Sequence, residues 1–304
     1  MRCSIFAIAV ITVVLPAAMQ AQSASAKPAI PKETLPPILT PWEANPVSNE
    51  DANGPFPAHK VIGNIYYVGT ADYASFLITS PQGHILINPD FESSVPLIQK
   101  SVEQLGFKFQ DIKVILISHA HGDHCAGTAR VKELTGASFM VMDADVDTME
   151  HPAAGRGGFP AVKVSRVLHD KDEVRHGGNV LVAHLTPGHT KGCTSWSLKT
   201  QDGGKTYNVV IVGSIGVNNA NTLVNNDAYP NIVEDYQRGF KVLKSLPCDV
   251  FLASHAKFYG LAEKQARLAQ GGPNPFIDPE GYRAHLAMME KAFYYKLDWA
   301  MRQN

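Results

Sequence analysis

Residues 113–127, "KVILISHAHGDHCAG", constrain the fold more than any other stretch of the chain. The apolar, β-branched run "VILI" reads as a short buried strand. Immediately after it come His119, His121, Asp123 and His124, four potential ligands within six residues. Side chains alternate faces along an extended segment, so His119 and His121 can converge on one ion. Gly122 then lets the chain turn and redirect Asp123 and His124. A solvated surface loop does not need this density of imidazole; a metal site does. Imidazole and carboxylate donors, with no thiolate required, suit zinc in a hydrolytic site.

Two further histidines share that context. His189 follows the apolar run "NVLVAHL" and a Pro-Gly turn, and His255 follows "VFLAS". Every candidate thus stands just beyond a buried strand, where distant segments meet at one sheet edge. His59, His84, His151, His169, His176, His184 and His285 lie inside strands or in polar and helical contexts, and are read as structural. Six ligands exceed what one tetrahedral zinc with an open position takes, but they suit two ions with three protein ligands each. A hydroxide held between two cations is available near neutral pH, so no serine or cysteine nucleophile is needed. The expectation is a two-zinc hydrolase.

The rest of the chain supplies strands and helices in alternation. "VIGNIYYVGT", "YASFLIT" and "HILIN" read as strands, the last two joined as a hairpin through "SPQG". Residues 95–105 and 126–135 have helical spacing, and "SFMVM" is the next strand. Residues 155–160, "GRGGFP", are either a connector or a flap over the site. "NVLVAHL", "YNVVIVG" and "DVFLAS" are further strands; residues 234–246 and 280–301 are helical, the last with a core-facing stripe. Two mixed sheets packed face to face with helices outside, an α/β sandwich of αββα layering, would bury all these runs.

Residues 1–26 read as a cleaved signal peptide: Met1-Arg2, an apolar stretch too short to span a bilayer, then Ala24-Ser25-Ala26. Residues 27–60 form a proline-rich N-terminal arm, and residues 61–304 a single domain. The mature protein is therefore expected in the periplasm without a membrane anchor, as a monomer. Basic and acidic residues balance at 27 and 28 with no basic stripe, which argues against a nucleic-acid partner. Removing the leader leaves Cys125, Cys193 and Cys248; an odd number keeps at least one thiol outside any intrachain bridge. Cys125 and Cys193 adjoin suspected ligands but are read as packing residues.

"HAHGDH", "TPGHTKGCTSW" and "ASH" together resemble the metallo-β-lactamase superfamily from about residue 61 to the C-terminus. "GHTKGCTSW", "YPNIVEDY" and "NPFIDPEGY" are similar to its class B, subclass 3 enzymes. The resemblance implies that His119, His121 and His189 hold one zinc and Asp123, His124 and His255 a second. A zinc-bridging hydroxide would attack the amide carbonyl of penicillins, cephalosporins and carbapenems, conferring antibiotic resistance. Asp123 would orient the nucleophile, and the second zinc would stabilise the departing nitrogen. Ser214 stands where other branches carry a bridging aspartate or a cysteine ligand, and its hydroxyl suits a water or a substrate carboxylate.

Three departures accompany this likeness. Gly216 stands where the subclass often has a second serine, so carboxylate recognition is expected to pass to Asn218, Asn219 and Asn221. Asn88 replaces a supporting aspartate, with a looser ligand loop expected. Cys248 lacks the partner it has in some relatives. Trp42, Arg156 and Phe159 are candidate rim residues. The alternatives are a di-zinc hydrolase of the same fold acting on a lactone, ester or thioester, and a zinc-binding protein without turnover.

Overall fold

A computed structural model describes Thr40, Glu43 and residues 48–152, 158–217 and 222–303. Among the described residues, the first element with stated bounds is one helical turn, α1 (Asn49–Ala52), capped by the Ser48 hydroxyl. A seven-stranded sheet follows, comprising β1 (His59–Ile62), β2 (Ile65–Tyr67), β3 (Phe76–Ile78), β4 (His84–Ile87), β5 (Ile112–Leu116), β6 (Ser138–Met142) and β7 (Arg166–Leu168) in that spatial order. The first four strands are antiparallel; β4 to β7 are parallel. Parallel strands need crossovers, and α2 (Val95–Gln104) supplies the first. After β5 come the short α3 (Gly122–Cys125) and α4 (Thr128–Thr135), and after β6 comes α5 (Val146–Glu150).

The second sheet has the order β12-β11-β10-β9-β8, from β8 (Glu173–His176), β9 (Asn179–Leu185), β10 (Thr194–Asp202), β11 (Lys205–Val212) and β12 (Val250–Ala253). Only β11 and β12 are parallel, joined through α6 (Ile232–Ser245). The chain ends with α7 (Leu261–Ala269) and α8 (Pro279–Gln303). None of the described helices is long and apolar enough to cross a membrane.

Period-two alternation sorts the first sheet's side chains into layers. Phe76, Ile78, Ile85, Ile87, Val114 and Leu116 join the large core shared with the second sheet. Their neighbours Leu77, Leu86, Ile115 and Ile117 join a separate core with Val95, Ile98 and Val102 of α2 and Val131 of α4. Tyr236, Phe240, Leu243, Leu286 and Phe293 of α6 and α8 cover the second sheet's other face. The layering is the αββα arrangement expected.

Differences from the sequence reading have local causes. "VIGNIYYVGT" is two strands, because Gly63 adopts φ +52° and turns the chain between Ile62 and Ile65. Residues 48–60 belong to the folded body rather than to an arm: Gly54 and Ala52 carbonyls accept from Ala71 and Asp72. The second half is mainly an antiparallel meander, and β7, β8, β10 and α7 were not read from the sequence. Residues 1–39 lie outside the described residues.

Trp196 is the largest fully buried side chain among the described residues, and its indole N–H donates to the Ile117 carbonyl at 3.3 Å. Beside it, the Thr194 N–H donates to the Ser118 carbonyl at 2.7 Å. These two bonds tie β10 of one sheet to the end of β5 in the other, one residue ahead of His119. Trp196→Ala removes the packing and orphans the carbonyl, and is expected to cost about 3–5 kcal/mol in urea unfolding; a loss under about 1 kcal/mol would show that the sheets are not held here.

Candidate metal centre

Parallel strands collect their C-terminal loops on one edge, and the candidate ligands arise there. His119, His121, Asp123 and His124 follow β5, and His255 follows β12; His189 lies between β9 and β10. His119 and His124 are completely or almost completely buried. Ligand atoms of His119, His121 and His189 lie within 4.8 Å of one another, as do those of Asp123, His124 and His255. The rings of His119 and His124, one from each group, are 4.5 Å apart between centroids, so the groups abut.

The individual separations match an ion's coordination edges. His121 Nδ1 and His189 Nε2 are 3.2 Å apart; Asp123 Oδ2 is 3.4 Å from His124 Nε2 and 3.6 Å from His255 Nε2. Zinc bonds of about 2.0–2.1 Å at tetrahedral angles give edges of about 3.4 Å. Both ring nitrogens of His119 and of His124 are buried with no hydrogen-bond partner, a costly arrangement that an ion on one nitrogen of each relieves. The donors present therefore fit zinc.

Proton occupancy favours the same use. Burial, reinforced by neighbouring imidazoles, holds His119 well below the usual histidine range. Burial takes His189 to about 4 and His124 to about 3. Burial likewise lowers His121. Burial pushes the Asp123 carboxyl upward, but His124, His255 and His121 overcome it, so the group ionises more readily than usual. Neutral imidazoles and a carboxylate are the forms that bind a metal.

Supporting bonds fix each loop. His189 Nδ1 meets the Gly216 carbonyl at 2.8 Å, and that carbonyl also accepts from the Tyr236 hydroxyl at 3.0 Å. His255 Nδ1 meets Asp72 Oδ2 at 3.2 Å; Lys257 holds the same carboxylate oxygen at 2.8 Å. Burial opposes ionisation of Asp72, but His255 and Lys257 hold its carboxyl far below the usual range. Asp145, almost fully buried, accepts from the Ala120 N–H at 3.0 Å. Burial raises that carboxyl to about 6, against the backbone N–H groups of Ala120 and Gly192. Asp72 and Asp145 were not singled out from the sequence; the only available signal was that each follows shortly after a strand, Asp72 in a loop and Asp145 in the helical turn that leads into α5.

Asn88 does not leave the ligand loop loose. It sits in the left-handed region at φ +58°, accepts from Ser118 N–H at 2.8 Å and donates to the Ala74 carbonyl at 3.2 Å. An ionised aspartate could accept the first bond but not donate the second. Ser214 is buried just past β11, and its carbonyl accepts from the Cys193 thiol at 3.2 Å. Cys125, Cys193 and Cys248 are free thiols; burial raises all three, Cys248 to about 12. Phe159 is half-buried against the core beneath α2 and α4. Trp42, Arg156, Asn218, Asn219 and Asn221 lie outside the described residues.

Two abutting three-donor groups at the edge of an αββα sandwich define a histidine-rich metal centre of hydrolytic type. Residues 68–255 match the model of the metallo-β-lactamase superfamily, and the chain belongs to that superfamily. Its structural neighbours are class B3 metallo-β-lactamases. The FEZ-1 metallo-β-lactamase from Legionella gormanii is 47% identical, over 82% of this chain and 98% of that one, with a TM-score of 0.80. BJP-1, a subclass B3 enzyme of Bradyrhizobium japonicum, is 36% identical over 84% and 99%, with a TM-score of 0.80. LRA-12, a class B3 di-zinc metallo-β-lactamase from an Alaskan soil metagenome, is 33% identical over 82% and 97%, with a TM-score of 0.76.

The depressed histidines make metal-free protein acid-sensitive. The unfolded chain takes protons near the ordinary histidine value of 6.5, whereas folded His124, His189 and the buried core residue His285 resist protonation down to about 3, 4 and 4. Their contribution is fully present above pH 6.5 and is lost as pH falls towards 4, at up to about 1.4 kcal/mol per pH unit for each residue. Denaturant unfolding of chelator-treated protein should show stability falling between pH 7 and pH 5; a flat profile would contradict burial of neutral imidazoles.

Proposed function

We propose that the protein hydrolyses the amide bond of β-lactams, penicillins, cephalosporins and carbapenems among them, with one zinc ion on each trio. The observation that carries this reading is the pair of abutting trios in a chain 47% identical to a metallo-β-lactamase. Zinc at such sites supplies Lewis-acid polarisation and brings the pKa of water to about 7. His119, His121 and His189 would hold one ion, and Asp123, His124 and His255 the other.

The chain's own residues set the geometry. The Gly216 carbonyl and Asp72 each take one ring nitrogen, of His189 and His255 respectively, leaving the other to face the trio. Asp123 presents Oδ2 to His124 and His255, which leaves its second oxygen to accept a proton-bearing partner. Ser214, with Asn218, Asn219 and Asn221, is assigned to the substrate carboxylate, and Trp42, Arg156 and Phe159 to the rim. The leader-like residues 1–26 support export to the periplasm, checked by whether the purified protein starts at Lys27; release as a monomer conferring resistance belongs to the same reading. Hydrolysis of a lactone, ester or thioester is not favoured, because the structural neighbours are β-lactamases.

Zinc-loaded protein should open penicillin, cephalosporin and carbapenem rings, lose the activity with a chelator and regain it with zinc. His119→Ala, folded by circular dichroism, should lose more than about 100-fold in kcat/KM, exceeding the usual effect of a supporting residue. Turnover of a lactone or thioester with no β-lactam opened would overturn the assignment.

A further inference from the structure

Asp145 stands at the N-cap of α5, where an aspartate ordinarily accepts from the first N–H groups of its own helix. It makes no such bond. Its carboxylate is turned away from the helix and buried, a costly placement unless its oxygens are used elsewhere. Oδ2 takes the N–H of Ala120, the residue between His119 and His121. On its other side the carboxylate lies against Gly192, three residues after His189. A Cβ at Gly192 would stand 2.4 Å from Asp145 Cγ, 2.6 Å from Oδ1 and 2.8 Å from the Asp145 nitrogen. No side chain fits there, so glycine is what lets the second loop close onto the carboxylate.

Asp145 thus touches both loops that supply His119, His121 and His189. The loop carrying His255 is fixed by other means. Asp72 accepts from Lys257 N–H at 3.1 Å as well as meeting the His255 ring, and the Ala74 N–H donates to the Ser254 carbonyl at 3.0 Å. One carboxylate therefore serves each trio: Asp72 bears directly on a ligand ring, whereas Asp145 acts through backbone.

We propose that Asp145, seated on Gly192, is a positioning residue for the His119/His121/His189 trio: it sets the separation of that trio's two loops, and bears far less on the other trio, whose Asp123 and His124 stand beyond Gly122 on the first loop and whose His255 is held by Asp72. This rests on the metal reading of the two groups but not on the substrate. Zinc affinity, read by competition with a chromogenic chelator on the full chain, therefore tests it whether or not β-lactams are opened.

Two backgrounds isolate the trios. His255→Ala leaves the first trio complete, and His189→Ala leaves the second. In the first background Asp145→Ala should weaken zinc binding about 10–100-fold, the usual range for a supporting residue, and by less than about 3-fold in the second. Asp145→Asn, which keeps an acceptor for the Ala120 N–H, should recover part of the loss. Gly192→Ala, which forces the loop off the carboxylate, should reproduce the selective weakening. Equal losses in both backgrounds, or no loss in the first, would overturn the proposal. If Asp145→Ala does not fold by circular dichroism, Asp145→Asn and Gly192→Ala decide the question by the same two measurements.

Discussion

His119 and His124 bury four imidazole nitrogens that have no hydrogen-bond partner, and this placement shapes the surrounding edge of the molecule. Burying polar rings is costly unless their nitrogens are used, so other interactions must keep the two rings in place. Bonds on either side of His119 supply them. The Asn88 amide holds Ser118 N–H, Thr194 N–H holds the Ser118 carbonyl, and Asp145 holds Ala120 N–H. The ligand loop is pinned before and after His119, leaving the imidazoles little freedom to turn towards water. A cation at each trio, as proposed, would take one nitrogen of each ring.

The same edge explains why the two sheets take the topology they do. Parallel order in β4 to β6 and in β11 and β12 brings the ends of strands far apart in sequence to one side. Trp196 and Thr194 then bond the second sheet to the last residues of the β5 segment. The core and the site are therefore not separable parts of the design. The inter-sheet packing that stabilises the fold also fixes the distance between loops that contribute ligands.

All six proposed ligands were legible in the sequence because each histidine or aspartate followed a recognisable apolar run closely, and because so dense a motif as "HAHGDH" has few other uses. Asp72 and Asp145 were not legible. Each is an ordinary aspartate between a strand and the next element until the fold turns it towards residues at distant sequence positions. Asn88 was read as a weakness, since charge is what a sequence displays; the structure shows a donor as well as an acceptor in use. Secondary structure followed the same division. Strands with both faces buried, such as β4, β5 and β12, stood out as continuous apolar runs. β8 and β10 carry polar residues on one side, and β7 is a short strand that opens on Arg166 and exposes Val167, so none gave a comparable signal. The β1–β2 turn was lost because Gly63 interrupts one apolar run without changing its composition.

Zinc titration of metal-free protein by isothermal calorimetry tests most directly whether six residues form two sites. Two equivalents per chain are predicted, falling to one tight equivalent in either His189→Ala or His255→Ala. A single equivalent in the unaltered chain, or loss of all binding when only one trio is broken, would contradict the division of these residues into two metal sites.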